Sequence, residues 1–386
     1  MLLSFGVYTL TGLLLFVLGK HVALRENRCL TDGDTSHSSF LCWEIMLSIA
    51  LFAIVAGCRY HTGFDHAMYL KQYLGLQETG ELSRENFEPG FKLITKAFAL
   101  SGCHYVIYFA FWAALQLGFL YYGLRERKFL LPWVALGIML GPYFIEWMNS
   151  MRQAVVCCLF VALVPLIQQR KFVPFALVVC VTAFVHKSAL LLLPLYFIPL
   201  IPVKIKNNNV LIAIFVVCVV AGLRPVWVGV LSCVQSVLDI VGYERYDKLI
   251  QPIMNGSYRF VKFGPNHIGV LFVDFCFIYF YPKVKAYFKD DKLLPIFFVY
   301  AFLGVCFENL LLNTSHFMLR PFDYFRIFIL IMNAYTLEYL YKTKNWSLFW
   351  LLAIVAFTYT YIVIFKAVYM PTIVNVPVLY HLFFLN

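Results

Sequence analysis

Charge is what this sequence has least of. Lys and Arg number 31 and Asp and Glu 20 among 386 residues, so charged side chains make up 13% of the chain, about half the roughly 25% of a soluble domain. A water-soluble protein of this length would need a polar surface that such a composition does not supply. Also missing are a C-x-x-C pair, Cys/His spacing of the metal-binding kind and a glycine-rich phosphate loop. A resident metal, a cofactor and a nucleotide site therefore have no support in the residues. The eleven cysteines are scattered and read as small apolar filler. No linker, low-complexity tract or internal repeat divides the chain, so a single transmembrane domain over residues 1–386 is expected.

What is present is apolar. Hydrophobic residues are 62% of the chain, gathered in blocks of about 15 to 20 that match a hydrocarbon layer about 30 Å thick. Twelve such segments run near 2–19, 41–58, 104–124, 129–148, 152–168, 172–186, 188–203, 209–224, 266–281, 293–313, 321–341 and 346–366. The first lacks a small-residue cleavage site and reads as an anchor. Several are short, so tilted or re-entrant pieces are expected. The fold class is all-α: a polytopic membrane protein with about twelve transmembrane segments.

The net charge of +11 would suggest nucleic acid in a soluble chain. Its distribution removes that reading. Sixteen of the basic residues sit in the connections after the odd-numbered segments: Lys20, Arg25, Arg28, Arg125, Arg127, Lys128, Arg170, Lys171, Lys204, Lys206, Lys283, Lys285, Lys289, Lys292, Lys342 and Lys344. Only six acids accompany them: Glu26, Asp32, Asp34, Glu126, Asp290 and Asp291. Such a bias marks cytoplasmic loops, with both termini outside. Two outer connections are long, 59–103 and 225–265. The first ends in 87–100, which reads as an amphipathic interfacial helix. The second mixes Trp227, Tyr243, Tyr246 and Tyr258 with Arg245, Lys248, Arg259 and Lys262, a composition suited to a lid at headgroup level.

Ionisable groups inside a bilayer cost at least about 2.5 kcal/mol each at mid-depth and commonly mark a site. Here they gather at the outer ends of segments. Arg59, Tyr60, His61, Asp65, His66 and Tyr69 fall within eleven residues, with Gly63 among them; the bland alternative is a solvated loop. Glu88-Pro89-Gly90 reads as a site residue or as a helix start. In a continuous helix Asn149, Arg152 and Gln153 would share one face. His186-Lys187-Ser188 interrupts an apolar run, either as a site or as a satisfied helix-end histidine. Arg320 and Asp323 are spaced to pair, with Tyr324 beside them, as ligands or as a buried ion pair. Guanidinium forks suit phosphate oxygens, and a carboxylate such as Asp65 suits proton transfer from a sugar hydroxyl.

The order Arg59-Tyr60-x-x-Gly63-x-Asp65-x-x-x-Tyr69, Glu88-Pro89-Gly90-Phe91, Asn149-x-x-Arg152-Gln153, His186-x-Ser188-Ala189 and Arg320-x-x-x-Tyr324-Phe325 resembles the EpsG-type branch of the Wzy polysaccharide polymerases. The stretch Val376-Pro377-Val378-Leu379-Tyr380 with Phe383-Phe384 is similar to that family's ending. The resemblance implies a GT-C-like protein of the bacterial inner membrane that polymerises undecaprenyl-diphosphate-linked oligosaccharide units on the periplasmic face. That lipid-linked oligosaccharide would be donor and acceptor, with a flippase and a chain-length regulator as partners. Carried over by position, Asp65 is the general base, with His61 or His66 as alternatives. Arg59, Arg152 and Arg320 hold the diphosphate and His186 assists the leaving group or positions the acceptor. Glu88, Asn149 and Gln153 contact sugar or orient the arginines, and Tyr60, His61, Tyr69, Asp323 and Tyr324 complete the substrate site.

Three rivals share the composition. A lipid-oligosaccharide flippase would place charge along a midplane path with symmetric halves, and here the charge crowds one face. A transferase using a polyprenyl-monophosphate sugar would add a single unit. A surface acyltransferase would want a histidine facing inward at another depth.

Overall fold

The computed structural model describes residues 1–31, 40–82, 87–201, 207–223, 226–230, 232, 264–313, 319–370 and 378–384. Most of the expected 225–265 lid, including Tyr243, Arg245, Tyr246, Lys248, Tyr258, Arg259 and Lys262, lies outside these residues. So do Asp32, Asp34, Lys204 and Lys206 of the charge pattern, and Val376 and Pro377.

A backbone in hydrocarbon must bond to itself, so apolar blocks become helices. Among the described residues five helices are long and apolar enough to cross a membrane: Leu2–Glu26, Tyr105–Gly123, Met151–Gln168, Pro265–Tyr287 and Trp346–Tyr369. A sixth joins them if Lys128–Leu140 and Tyr143–Asn149, bent by 65°, form one span. Shorter apolar helices cover Trp43–Gly57, Phe172–Ala183, Lys187–Leu200, Asn208–Ala221 and Leu294–Leu310, and a further helix spans Asp323–Lys342. The chain is an all-α membrane protein.

Two expected segments are not single straight helices. The fourth breaks at Gly141-Pro142, where Gly141 is extended (φ −91°, ψ −167°) because the proline ring excludes the helical conformation of the residue before it. The seventh is assembled from short pieces, Lys187–Leu191, Leu192–Leu195 and Ile198–Leu200. Pro194 and Pro199 lie among them, and each removes a backbone donor from the run.

The described chain falls into two compact units, Met1–Leu200 with Ala334–Asn386, and Ile201–Asn333. In the first, α1 (Leu2–Thr31) lies against α2 (Trp43–Gly57) and the helix Leu131–Leu140, α2 lies against the helix Tyr105–Gly123, and that helix lies against Met151–Gln168. Small residues set these crossings. A Cβ on Gly57 would stand 2.5 Å from the Val106 carbonyl oxygen, and one on Gly123 would stand 2.9 Å from the Ala162 nitrogen. One end of the unit is laced by ion pairs: Lys128 meets Glu26 at 2.6 Å and buried Glu44 takes His21 at 2.8 Å and Arg25 at 3.5 Å.

Within the 59–103 connection, α3 (Phe64–Thr79) and α4 (Pro89–Leu100) pack on the helix Tyr105–Gly123. Helix α4 buries Phe91, Thr95 and Ala99 at four-residue spacing and leaves Leu93 and Leu100 exposed, the one-sided pattern expected of it. Ahead of α3, the pair Arg59–Tyr60 (β1) joins His381–Leu382 (β2) in an antiparallel bridge.

The second unit holds the helices Asn208–Ala221, Pro265–Tyr287 and Leu294–Leu310. Trp227 Nε1 donates to the Leu310 carbonyl at 2.7 Å, and Asn313 Nδ2 to the Gly222 carbonyl at 2.8 Å.

Candidate functional site

The site of the first unit is built from turns that end helices. Leaving α2, the chain places Arg59 in β1, where it is only 1% exposed. Its guanidinium donates to the Ala56 carbonyl and, at 3.4 Å, to the Met148 carbonyl, and it lies 4.8 Å over the Phe109 ring. Burial pulls its pKa down to about 10, so it stays charged at neutral pH. His66 stacks on the same Phe109 ring at 4.8 Å. It is fully buried, and among the described residues neither ring nitrogen finds a hydrogen-bond partner. Burial, then the Arg59 charge, then His61, push its pKa down to about 3. His66 is therefore neutral across the physiological range.

Between them the backbone turns sharply, with φ +49° at exposed His61 and φ +90° at Gly63. A Cβ on Gly63 would press on the Met148 carbonyl oxygen at 3.4 Å in a conformation side chains rarely adopt. The turn delivers Asp65 to the first helical residues of α3, where its N–H donates to Asn149 Oδ1 at 3.0 Å. Asn149 thus caps a helix from another part of the chain, doing from a distance what a local N-cap side chain does.

One helical turn further on, buried Tyr69 meets Arg152. Arg152 Nε donates to the Tyr69 hydroxyl at 3.3 Å. Its guanidinium lies 4.7 Å from the Phe91 ring centre and 5.1 Å from that of Phe87, and its Nη1 pairs with Glu88 Oε2. The other Glu88 oxygen accepts the Lys187 backbone N–H at 3.1 Å and stands 3.6 Å from His186 Nδ1. Burial raises the Glu88 pKa, but the Lys187 N–H, Arg152 and His186 together outweigh it and hold the carboxyl below its ordinary range.

Glycine makes this meeting sterically feasible. Gly90 donates its N–H to the Phe184 carbonyl at 2.8 Å, and a Cβ there would sit 2.8 Å from that same oxygen. The α4 N-terminus, carrying Glu88 with Pro89 in the first helical position, therefore docks directly against the 184–187 turn.

The expectation that Asn149, Arg152 and Gln153 share one continuous helical face is not met. The helix Tyr143–Asn149 closes at Ser150 (φ −98°, ψ +51°), and a new helix starts at Met151. Ser150 still donates its N–H and its hydroxyl to the Glu146 carbonyl, and its ψ of +51° then turns the chain out of the first helix. The break separates the roles: Asn149 holds the Asp65 amide while Arg152 holds Glu88. Gln153 is buried beside Arg152 in the new helix.

The first unit contains ten of the expected residues: Arg59, Tyr60, His61, Asp65, Tyr69, Glu88, Asn149, Arg152, Gln153 and His186. Arg320, Asp323 and Tyr324 belong to the second unit. There Arg320 opens an exposed 3-10 turn, Asp323 starts the next helix and Tyr324 is fully buried.

Sequence reasoning missed the aromatic bed of Phe87, Phe91 and Phe109 and the Lys187 amide, because neither carries a distinctive residue type. It also missed a polar group in the second unit. Asp274, 5% exposed, lies inside the apolar helix Pro265–Tyr287 and makes no hydrogen bond among the described residues. It feels the charges of Glu308 and Arg326, which pair at 3.5 Å. A carboxylate within an apolar run was the available signal. Among the described residues no three His, Cys, Asp or Glu side chains gather as a metal site; the sequence's one Asp-x-Asp, Asp32-Gly33-Asp34, lies outside them.

Chemically the first-unit site offers a guanidinium fixed from three sides, a carboxylate and a histidine beside it, and an aromatic bed that excludes water. Fixed guanidinium donors of this kind suit anionic oxygens. No curated protein and no solved structure matches the chain. The profile of the EpsG family, however, matches residues 43–377, a stretch that contains every site residue named above. The chain belongs to the EpsG family.

Proposed function

We propose that the protein polymerises undecaprenyl-diphosphate-linked oligosaccharide repeat units by glycosyl transfer on the periplasmic face of a bacterial inner membrane. In this reading the chain acts as one GT-C-like transmembrane domain whose helices make about twelve crossings. Membership of the EpsG family supports a polysaccharide polymerase or a related glycosyltransferase. The observation that carries the reading is Arg152: a cation held by Glu88 and Tyr69 on a bed of Phe87 and Phe91.

In the growing chain the anomeric carbon is bonded to diphosphate, a leaving group once its developing charge is met. Arg152 supplies fixed donors for that charge, as preorganised donors do in water-poor sites, and Arg320 is a second candidate. His186, beside the Glu88 carboxylate, orients the diphosphate or the incoming unit. Asp65 takes the proton from the attacking sugar hydroxyl as the new glycosidic bond forms and the carbon–diphosphate oxygen bond breaks. Undecaprenyl diphosphate leaves with the bonding electron pair. Glu88, Asn149, Gln153, Tyr60, His61, Tyr69, Asp323 and Tyr324 position sugars or the arginines. Holding both reactants in place adds to that electrostatic stabilisation.

The test is complementation in cells lacking the gene, with lipid-linked glycans profiled by length. At matched levels of folded protein, Asp65→Asn and Arg152→Ala are expected to leave single repeat units while abolishing long polymer. Full-length polymer from both variants would overturn the assigned roles. Product length also separates a polymerase from a transferase adding one sugar, and repeat units trapped on the cytoplasmic face would indicate a flippase instead.

A further inference from the structure

We infer that residues 378–384 form a strap that positions the Arg152 cluster through Arg59, and that Arg59 and Tyr380 are positioning residues. The catalytic consequence rests on the polymerase reading; the strap itself does not.

A two-residue bridge is too short to persist alone, and this one does not stand alone. Beyond the β1–β2 pairing, Phe383 N–H donates to the Cys58 carbonyl at 3.1 Å, and the Thr62 hydroxyl to the Leu379 carbonyl at 2.9 Å. The Tyr8 hydroxyl donates to the Val378 carbonyl at 2.9 Å, and Tyr380 N–H to Ser4 Oγ at 2.9 Å. Tyr380 sends its own hydroxyl to the Val55 carbonyl at 2.7 Å, in the last turns of α2. Its ring meets Tyr8 edge-on, and Phe383 closes against His104 and Tyr105. Both Val378 and Tyr380 are buried. The segment is thus tied to α1, to α2 and to both sides of the Arg59 turn.

Arg59 explains why so much bonding converges there. Among the described residues no carboxylate pairs with it. A buried charge is costly unless its donors are met; the two terminal nitrogens of Arg59 are spent on the Ala56 and Met148 main-chain carbonyls, while among the described residues its Nε finds no partner. With 1% of its surface exposed, it does not reach a substrate while the strap is docked. What it reaches is Met148, whose neighbour Asn149 caps Asp65; one turn along α3 stands Tyr69, which binds Arg152. Strap, Arg59, Met148-Asn149, Asp65, Tyr69 and Arg152 form one continuous chain of contacts. Arg59 works from beneath the site, and Arg152 is the cation that meets the diphosphate.

Purified full-length protein is compared with Tyr380→Phe and with a chain lacking 378–386, by hydrogen–deuterium exchange and by polymerisation kinetics on a lipid-diphosphate-linked repeat unit. Exchange of the 59–66 backbone is expected to quicken in both variants, most in the deletion. In Tyr380→Phe the KM for the donor is expected to rise about fivefold to tenfold, the range of one lost hydrogen bond. Simple loss of folded protein would lower the apparent kcat and leave KM alone. Unchanged exchange at 59–66 with unchanged KM overturns the strap. If the deletion does not fold, Tyr380→Phe carries the test. If the unaltered protein makes no polymer while the exchange shift persists, the strap stands and the polymerase reading falls.

Discussion

Glu88 and Arg152, 64 residues apart in the chain, form an ion pair whose carboxylate is shared with a third segment. One oxygen takes the guanidinium and the other takes the Lys187 amide. A single carboxylate therefore ties the start of α4, the start of the helix Met151–Gln168 and the turn after Phe184 into one site.

Glu88→Gln tests that tie. Its side chain is 9% exposed and that of Arg152 15%, and removing one partner of a buried pair costs about 3–5 kcal/mol. The thermal midpoint in detergent is expected to fall, and polymer formation with it. Because the folded carboxyl sits below its ordinary range, its stabilisation is present above about pH 5 and fades as pH falls through the folded value. The gap between the original and Glu88→Gln midpoints should stay constant from neutral pH to about 5 and close below it.

Asn149 has a separable role. Asn149→Ala removes the acceptor for the Asp65 amide, a loss of about 1 kcal/mol by analogy with N-caps, and should slow polymer formation while leaving Arg152 bound to Glu88. Asn149→Asp keeps an acceptor oxygen in place and should restore most of the rate. Comparing polymer yields of the two at equal protein levels checks the assignment.

His66 is expected to act as a flat buried ring and not as a base. Its pKa of about 3 lies below its unfolded value near 6.5. The stability it contributes is present above about 6.5 and is lost progressively as pH falls toward about 3. His66→Phe, which preserves stacking on Phe109, should remove that acid sensitivity from thermal melts between pH 6.5 and 4. It should leave the pH dependence of polymer formation above 7 unchanged.

The second unit offers a contrast in sign. Asp274→Leu removes a buried polar group that lacks a hydrogen bond, worth about 1–3 kcal/mol, and should raise the melting temperature. Arg326→Leu leaves both Asp274 and Glu308 without their cation and should lower it. Thermal unfolding of the two variants in the same detergent decides the matter.

Several site residues were legible because their types conflict with their surroundings. Arg152, Glu88 and His186 are polar groups bordering apolar runs, and the structure joins all three. The shared face expected of Asn149 and Arg152 failed for a local reason: Ser150 takes a non-helical ψ of +51° and a new helix begins at Met151. The charge of Arg59 was legible and its burial was not, because composition reveals charge and not exposure.

What the sequence by itself determined was the membrane class, the helical elements and the short list of charged residues, because hydrophobicity and propensity act over a few neighbouring residues. Which of those residues meet was decided only by tertiary structure. Glu88 finds His186 because Gly90 admits close approach to Phe184, and Arg59 finds distant Leu382 because Tyr8, Thr62 and Tyr380 fasten residues 378–380. Contacts of that kind depend on the packing of whole helices, and no local pattern encodes them.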